Sequence, residues 1–97
     1  MLILKVVAPG PIHGYGISQR LKHMSSNVLD VRQGSLYPAL HRMEKEGLVS
    51  AKWLDSDAGH QAKFYSITRA GRKRLDHETV NWETLSNAIA FVLRTAD

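Results

Sequence analysis

Ninety-seven residues, 43% hydrophobic and 23% charged, suit one small globular domain and are too few for two independent cores. The absence of cysteine excludes disulfides and thiolate metal sites, so added stability at this size would have to come from association with another chain. A net charge of +4 is compatible with a polyanionic partner without requiring one.

The first apolar run, Met1-Leu2-Ile3-Leu4, is interrupted by Lys5 and stopped by Pro9-Gly10-Pro11. It reads as the last turns of a helix and is too short for a signal peptide or a membrane span, so a soluble, cytoplasmic protein is expected. His13 to Met24 reads as a second helix, with Tyr15, Ile17, Leu21 and Met24 inward and Gln19, Arg20, Lys22 and His23 outward. Ser25-Ser26-Asn27 ends it, and Val28 to Gln33 forms the turn to the next helix.

That third helix carries the most informative surface. Ser35 is the expected N-cap, Pro38 then falls in the first turn, and Gly47 takes the left-handed conformation that ends the helix. Leu36, Ala39, Leu40 and Met43 recur at core-facing spacing. Ser35, Pro38, His41, Arg42 and Lys45 share the other side, which donates hydrogen bonds and carries positive charge.

Leu48 to Leu54 and Gln61 to Ile67 read as a two-stranded antiparallel hairpin with a polar tip from Asp55 to His60. Val49, Ala51, Trp53, Tyr65 and Ile67 alternate with polar neighbours and would pack on the preceding helix, which a lone hairpin needs for stability. A helix followed by a protruding hairpin is the winged helix-turn-helix arrangement, in which the helix enters the major groove and the wing follows the backbone. Mainly α, with this small sheet, is therefore the expected fold class.

Thr68 is the expected N-cap of a last helix from about Arg69 to Leu93, with Arg72, Lys73 and Arg74 in its first turns. Positive charge there opposes the helix dipole and fits either nearby phosphates or simple solvated surface charge. Further on, Trp82, Leu85, Ala88, Ile89 and Val92 form a seam for another helix, broadened by Val80, Phe91 and Leu93. A second copy of the chain is the economical occupant; the alternative is that the helix folds back on its own domain. Residues 1–68 would then be a DNA-binding unit and 69–97 a dimerisation helix within one compact body.

Enzyme chemistry finds no support. His13, His23, His41, His60 and His77 lack the spacing and acidic partners of a metal site, Ser35 lacks a nucleophile-elbow context, and Gly14-Tyr15-Gly16 lacks the length and lysine of a phosphate loop. No cofactor or metal is expected. The rival class is a winged-helix protein-interaction module, whose exposed helix face binds another protein.

Four motifs in order give a family resemblance: His13-Gly14-Tyr15-Gly16-Ile17, Gly34-Ser35-Leu36-Tyr37-Pro38-Ala39-Leu40, Glu46-Gly47-Leu48-Val49 and Tyr65-Ser66-Ile67-Thr68-Arg69-Ala70-Gly71. On these, the chain resembles the PadR family of bacterial transcriptional regulators over essentially its whole length. The resemblance implies a winged helix-turn-helix homodimer that binds an inverted-repeat operator in double-stranded DNA, usually as a repressor, with the last helix forming most of the dimer interface. It implies DNA contact by Ser35, Tyr37, Pro38 and Arg42, and backbone contact by Lys63 and the residues about Gly59; the exposed charge pattern adds His41, Lys45 and Arg72. Tyr37 and Pro38 can equally be structural. Many family members respond to small aromatic molecules, which makes Trp82 a candidate effector-binding residue as well as an interface residue. Family members typically carry several more residues before Met1, continuing the first helix, and more basic residues in the wing than Gly59-His60-Gln61-Ala62-Lys63.

Overall fold

The computed structural model describes residues 1–55 and 59–95. Its elements run α1 (Leu2–Val7), β1 (Ile12–His13), α2 (Gly14–Met24), α3 (Gln33–Lys45), β2 (Val49–Asp55), β3 (Gln61–Ile67) and α4 (Arg69–Thr95). The fold class is as expected, but the sheet has three antiparallel strands in the order β1-β3-β2 rather than two. The added strand is two residues long, pairing Ile12 with Tyr65 and His13 with Phe64. Positions 56–58 of the hairpin tip and the last two residues of the C-terminal segment lie outside the described residues.

The core is where the three short helices meet the sheet. Leu4, Val6 and Val7 of α1, Ile17 and Leu21 of α2, Leu36 and Leu40 of α3, and Val49 and Tyr65 of the sheet are all buried. The α2 spacing was half right: Ile17 and Leu21 face inward, but Tyr15 and Met24 are exposed, at 61% and 54%. The inward stripe includes Ser18 instead, whose hydroxyl satisfies itself on the Tyr15 carbonyl at 2.9 Å. Gln33 Nε2 reaches that hydroxyl oxygen at 3.4 Å and so bridges the two helices of the helix-turn-helix.

The start of α3 differs from expectation. Helical geometry begins at Gln33 with Arg32 as a cap that offers no side-chain bond, so Ser35 lies inside the first turn rather than at the N-cap. Pro38 is consequently a helix-interior residue. It cannot donate to the carbonyl of Gly34, and both residues are exposed, where water can reach that carbonyl. The other end is as expected: Gly47 has φ +75°, its amide bonds the Glu44 carbonyl, and the Leu48 amide reaches back to Met43 at 2.9 Å. These are the two bonds of a Schellman ending, and buried Leu48 packs with Met43 in the same cluster.

Thr68 caps α4 as expected, accepting from the Gly71 amide at 3.0 Å. Its hydroxyl also donates to the Gly47 carbonyl at 2.6 Å, so one side chain joins the end of α3 to the start of α4. The two helices meet almost backbone to backbone, because Gly71 sits against the Leu48 carbonyl where no Cβ would fit.

Candidate nucleic-acid interface

The exposed face of α3 is continuous. Ser35, Tyr37, Pro38, His41, Arg42 and Lys45 are all exposed, while Leu36 and Leu40 are buried on the opposite side. The 3.6-residue period spreads these exposed residues over a broad arc. Pro38, His41 and Lys45 lie along its middle, Ser35 and Arg42 on the flank nearer α1, and Tyr37 on the flank nearer the hairpin.

Tyr37 is held in place. Its ring lies so close to Gly14 that a Cβ there would stand 2.7 Å from the phenol oxygen. Together with His13, Tyr15, Trp53, Lys63 and Tyr65 it lines an open cleft of about 570 Å³ between the start of α2, α3 and the hairpin. His13 serves as the N-cap of α2: its Nδ1 accepts from the Gly16 amide at 2.9 Å, and its ring stacks edge-on to Phe64 at 5.2 Å. The sequence placed this residue on the helix; its strand role depends on pairing with β3.

Trp53 corrects a packing expectation. It lies on the sheet face shared with Val49 and Ala51, as alternation requires, but is 64% exposed because the helices cover only the base of the hairpin. It forms a wall of the cleft instead.

Two cations expected at DNA are held within the chain. Lys63 Nζ donates to Glu44 Oε1 at 3.0 Å and stands 5.6 Å from the centre of the Tyr65 ring. That hydrogen bond holds the Lys63 ammonium above its usual pKa, and burial raises the Tyr65 phenol. Arg72 donates to the Ala8 carbonyl at 3.0 Å, and Arg20 to Val6 at 3.2 Å. Both guanidiniums thus sit at the negative end of α1, which gives Arg72, one of the three basic residues at the start of α4, a partner within the fold. Sequence reasoning missed Glu44 because an acid among basic neighbours reads as solvated surface until β3 is placed beside it.

On α4, Gly71 is the one buried residue. Trp82, Leu85, Ala88, Ile89 and Val92 are exposed, together with Val80, Phe91 and Leu93. Helical spacing continues the inward stripe of Gly71 and Leu75 into Trp82, Leu85, Ile89 and Val92, beyond the end of the domain. Trp82 also borders a cleft of about 610 Å³ between α1 and α4, with Leu2, Lys5, Leu75 and Val80. Among the described residues no group of three or more histidines and acids could hold a metal ion, and no helix is long and apolar enough to cross a membrane.

Comparison with known proteins places this geometry. A transcriptional regulator of Mycobacterium tuberculosis is 33% identical over 87 residues, which cover 90% of this chain and 78% of that protein. The crystal structure of a PadR-like transcriptional regulator from Bacillus cereus superposes with a TM-score of 0.80 at 31% identity, covering 94% of this chain and 86% of the other. Bacillus subtilis PadR, solved in complex with operator DNA, shares the fold at a TM-score of 0.73 and 22% identity, over 81% of this chain and 45% of that one. Residues 3–77 match the model of the PadR-like family. The chain therefore belongs to the PadR-like family of transcriptional regulators, and it is not an enzyme.

Proposed function

We propose that the protein is a homodimeric, cytoplasmic repressor that binds an inverted-repeat operator with α3 in the major groove and the hairpin along the backbone. The observation that carries this is the exposed face of α3, where Ser35, Tyr37, Pro38, His41, Arg42 and Lys45 project from a helix whose other side is locked into the core. Arg42 and Lys45 supply charge, and Ser35 and His41 add hydrogen-bonding groups to the same surface. Lys63 is set apart because its ammonium is paired with the Glu44 carboxylate, whereas Arg72, exposed and bonded to the neutral Ala8 carbonyl, keeps its charge and stays with the proposed contacts. The complex of Bacillus subtilis PadR with operator DNA supports the same use of a shared fold.

Dimerisation is proposed through α4, since Trp82, Leu85, Ala88, Ile89 and Val92 leave an apolar stripe that the chain itself does not cover. A twofold dimer presents two copies of α3, matching a palindromic site. A small aromatic effector is proposed beside Trp82. Quenching of its fluorescence by planar aromatic ligands should vanish in Trp82→Phe while Trp53 is retained; unchanged quenching would remove Trp82 as the site.

The test of the main reading is an anisotropy titration against DNA from immediately upstream of the coding region, with unrelated duplex as competitor, across a range of salt. About six to ten phosphate contacts in a dimer give a log-log salt slope on the order of −5 to −9. Binding that resists competitor and shows such a slope is the expected result. A flat response would favour the protein-interaction module.

A further inference from the structure

Strand parity aims Lys63 at α3. Side chains alternate along β3, so Lys63 shares its face with Tyr65 and Ile67, the face that packs on the helices. Tyr65 is 4% exposed in the core, so the lysine stem leaves the sheet on its inner side. Helical spacing performs the matching step on α3: Glu44 is seven residues after Tyr37 and lies on the same flank, toward the hairpin. The two side chains meet at 3.0 Å, each about one-third exposed, at 32% and 35%.

The carboxylate has no helical reason to be there. Glu44 is in the last turn of α3, where the helix dipole disfavours an acid, and it adjoins the surface proposed for a polyanion. Its ion pair with Lys63 is the compensation. It also occupies the one basic side chain that β3 contributes near α3, leaving a neutral pair where the wing meets the reading helix.

We infer that Glu44 is a positioning residue that holds Lys63 off the DNA backbone, so that the hairpin approaches DNA without a lysine–phosphate contact from this position. This rests on the proposed DNA-binding function. A neutral pair releases no counterions, so Lys63 contributes nothing to the salt dependence of binding while Glu44 is ionised. Removing the negative charge frees the ammonium for a phosphate, and random duplex is then held by one more ionic contact per protomer.

The test is the salt dependence of binding to a random-sequence duplex by the full chain and three variants: Glu44→Gln, Lys63→Met and the double substitution. Glutamine retains a hydrogen-bond acceptor for Lys63 while removing the charge. Thermal melting of all four proteins separates loss of fold from loss of contact. Glu44→Gln is expected to steepen the log-log slope by about 0.9 per protomer and the double variant to return it to the wild-type value, while Lys63→Met alone leaves an unpaired carboxylate facing the polyanion and weakens binding. A slope for the double variant shallower than wild type would show that the lysine already meets phosphate, and would overturn the inference. So would a steepening that survives in the double variant, since the effect would then belong to Glu44 itself, and so would an unchanged slope in Glu44→Gln. Absence of salt-dependent DNA binding by the wild-type protein would overturn the DNA-binding function itself.

Discussion

Gly71→Ala tests the glycine position with the least room for a side chain. A Cβ at this position would stand 2.1 Å from the Leu48 carbonyl oxygen and 2.8 Å from Ile67 Cγ1. Ordinary contact begins at 3.4 Å, so α4 would have to withdraw by about 1.3 Å (3.4 − 2.1). The obstacle is backbone and cannot rotate aside. The Leu48 carbonyl also accepts the Thr68 amide at 3.1 Å, and Thr68 Oγ1 donates to Gly47 at 2.6 Å, so the same withdrawal strains both bonds. Overpacking costs about 1–3 kcal/mol and two weakened hydrogen bonds about 1 kcal/mol each. Alanine returns about 1 kcal/mol of helix propensity. The net loss is about 2–4 kcal/mol, which lowers the melting temperature by roughly 10–25 °C for a domain of this size. Urea and thermal unfolding at one fixed protein concentration measure it, since the proposed dimer would make the midpoint concentration-dependent. Gly34→Ala is the control. It is also helical, nothing lies within 4 Å of the added carbon, and stability should stay level or rise by up to about 1 kcal/mol. A Gly71→Ala protein as stable as wild type would refute the backbone-to-backbone junction of α3 and α4.

Replacing both Leu85 and Ile89, which are 54% and 48% exposed, by Asp should convert a dimer to a monomer in light scattering, with the far-ultraviolet spectrum of the base domain retained. A dimer that persists would place the interface elsewhere. Arg42→Ala should weaken DNA binding by about 1–3 kcal/mol if it contacts a base and leave the oligomeric state unchanged; a dimerisation defect would mean that the α3 face serves self-association. Stability should be level from about pH 7 to 10 and fall above that. The fold raises the Lys63 pKa above 10.5 through its bond to Glu44, and the Tyr65 pKa above 10.0 through burial. In both groups the fold favours the protonated form, so the stabilisation is complete below the unfolded-state values and is lost as pH rises through the folded-state ones. Tyr65→Phe should remove the phenol share of that alkaline loss, and an unaltered alkaline limb would contradict it.

Local rules identified the elements because their evidence is local. Gly47 ends α3 since a residue without a Cβ adopts φ +75° at no steric cost, and Thr68 opens α4 since a hydroxyl can satisfy an unpaired helix amide. Alternation put Val49, Ala51 and Trp53 on one sheet face, and periodicity put Leu36 and Leu40 beneath α3. The misses share a different cause. Helical spacing gave Tyr15 and Met24 an inward direction but not a neighbour, and Trp53 points the right way past the edge of the helices. The onset of α3 at Gln33 was missed because its cap, Arg32, makes no side-chain bond and so leaves no signal to read.

The sequence by itself determined the order of the helices and of the two hairpin strands, the apolar side of α3 and the unfilled stripe on α4, because each follows from the periodicity of a single segment. Tertiary structure decided which charges are available. Arg72 and Lys63 look alike as isolated basic residues, yet one ends on the Ala8 carbonyl and the other on Glu44. It also decided the third strand, since Ile12–His13 is extended only because β3, some fifty residues later, offers it a ladder. Such pairings depend on which groups long-range folding brings within about 3 Å of one another, and no spacing along the chain encodes that distance.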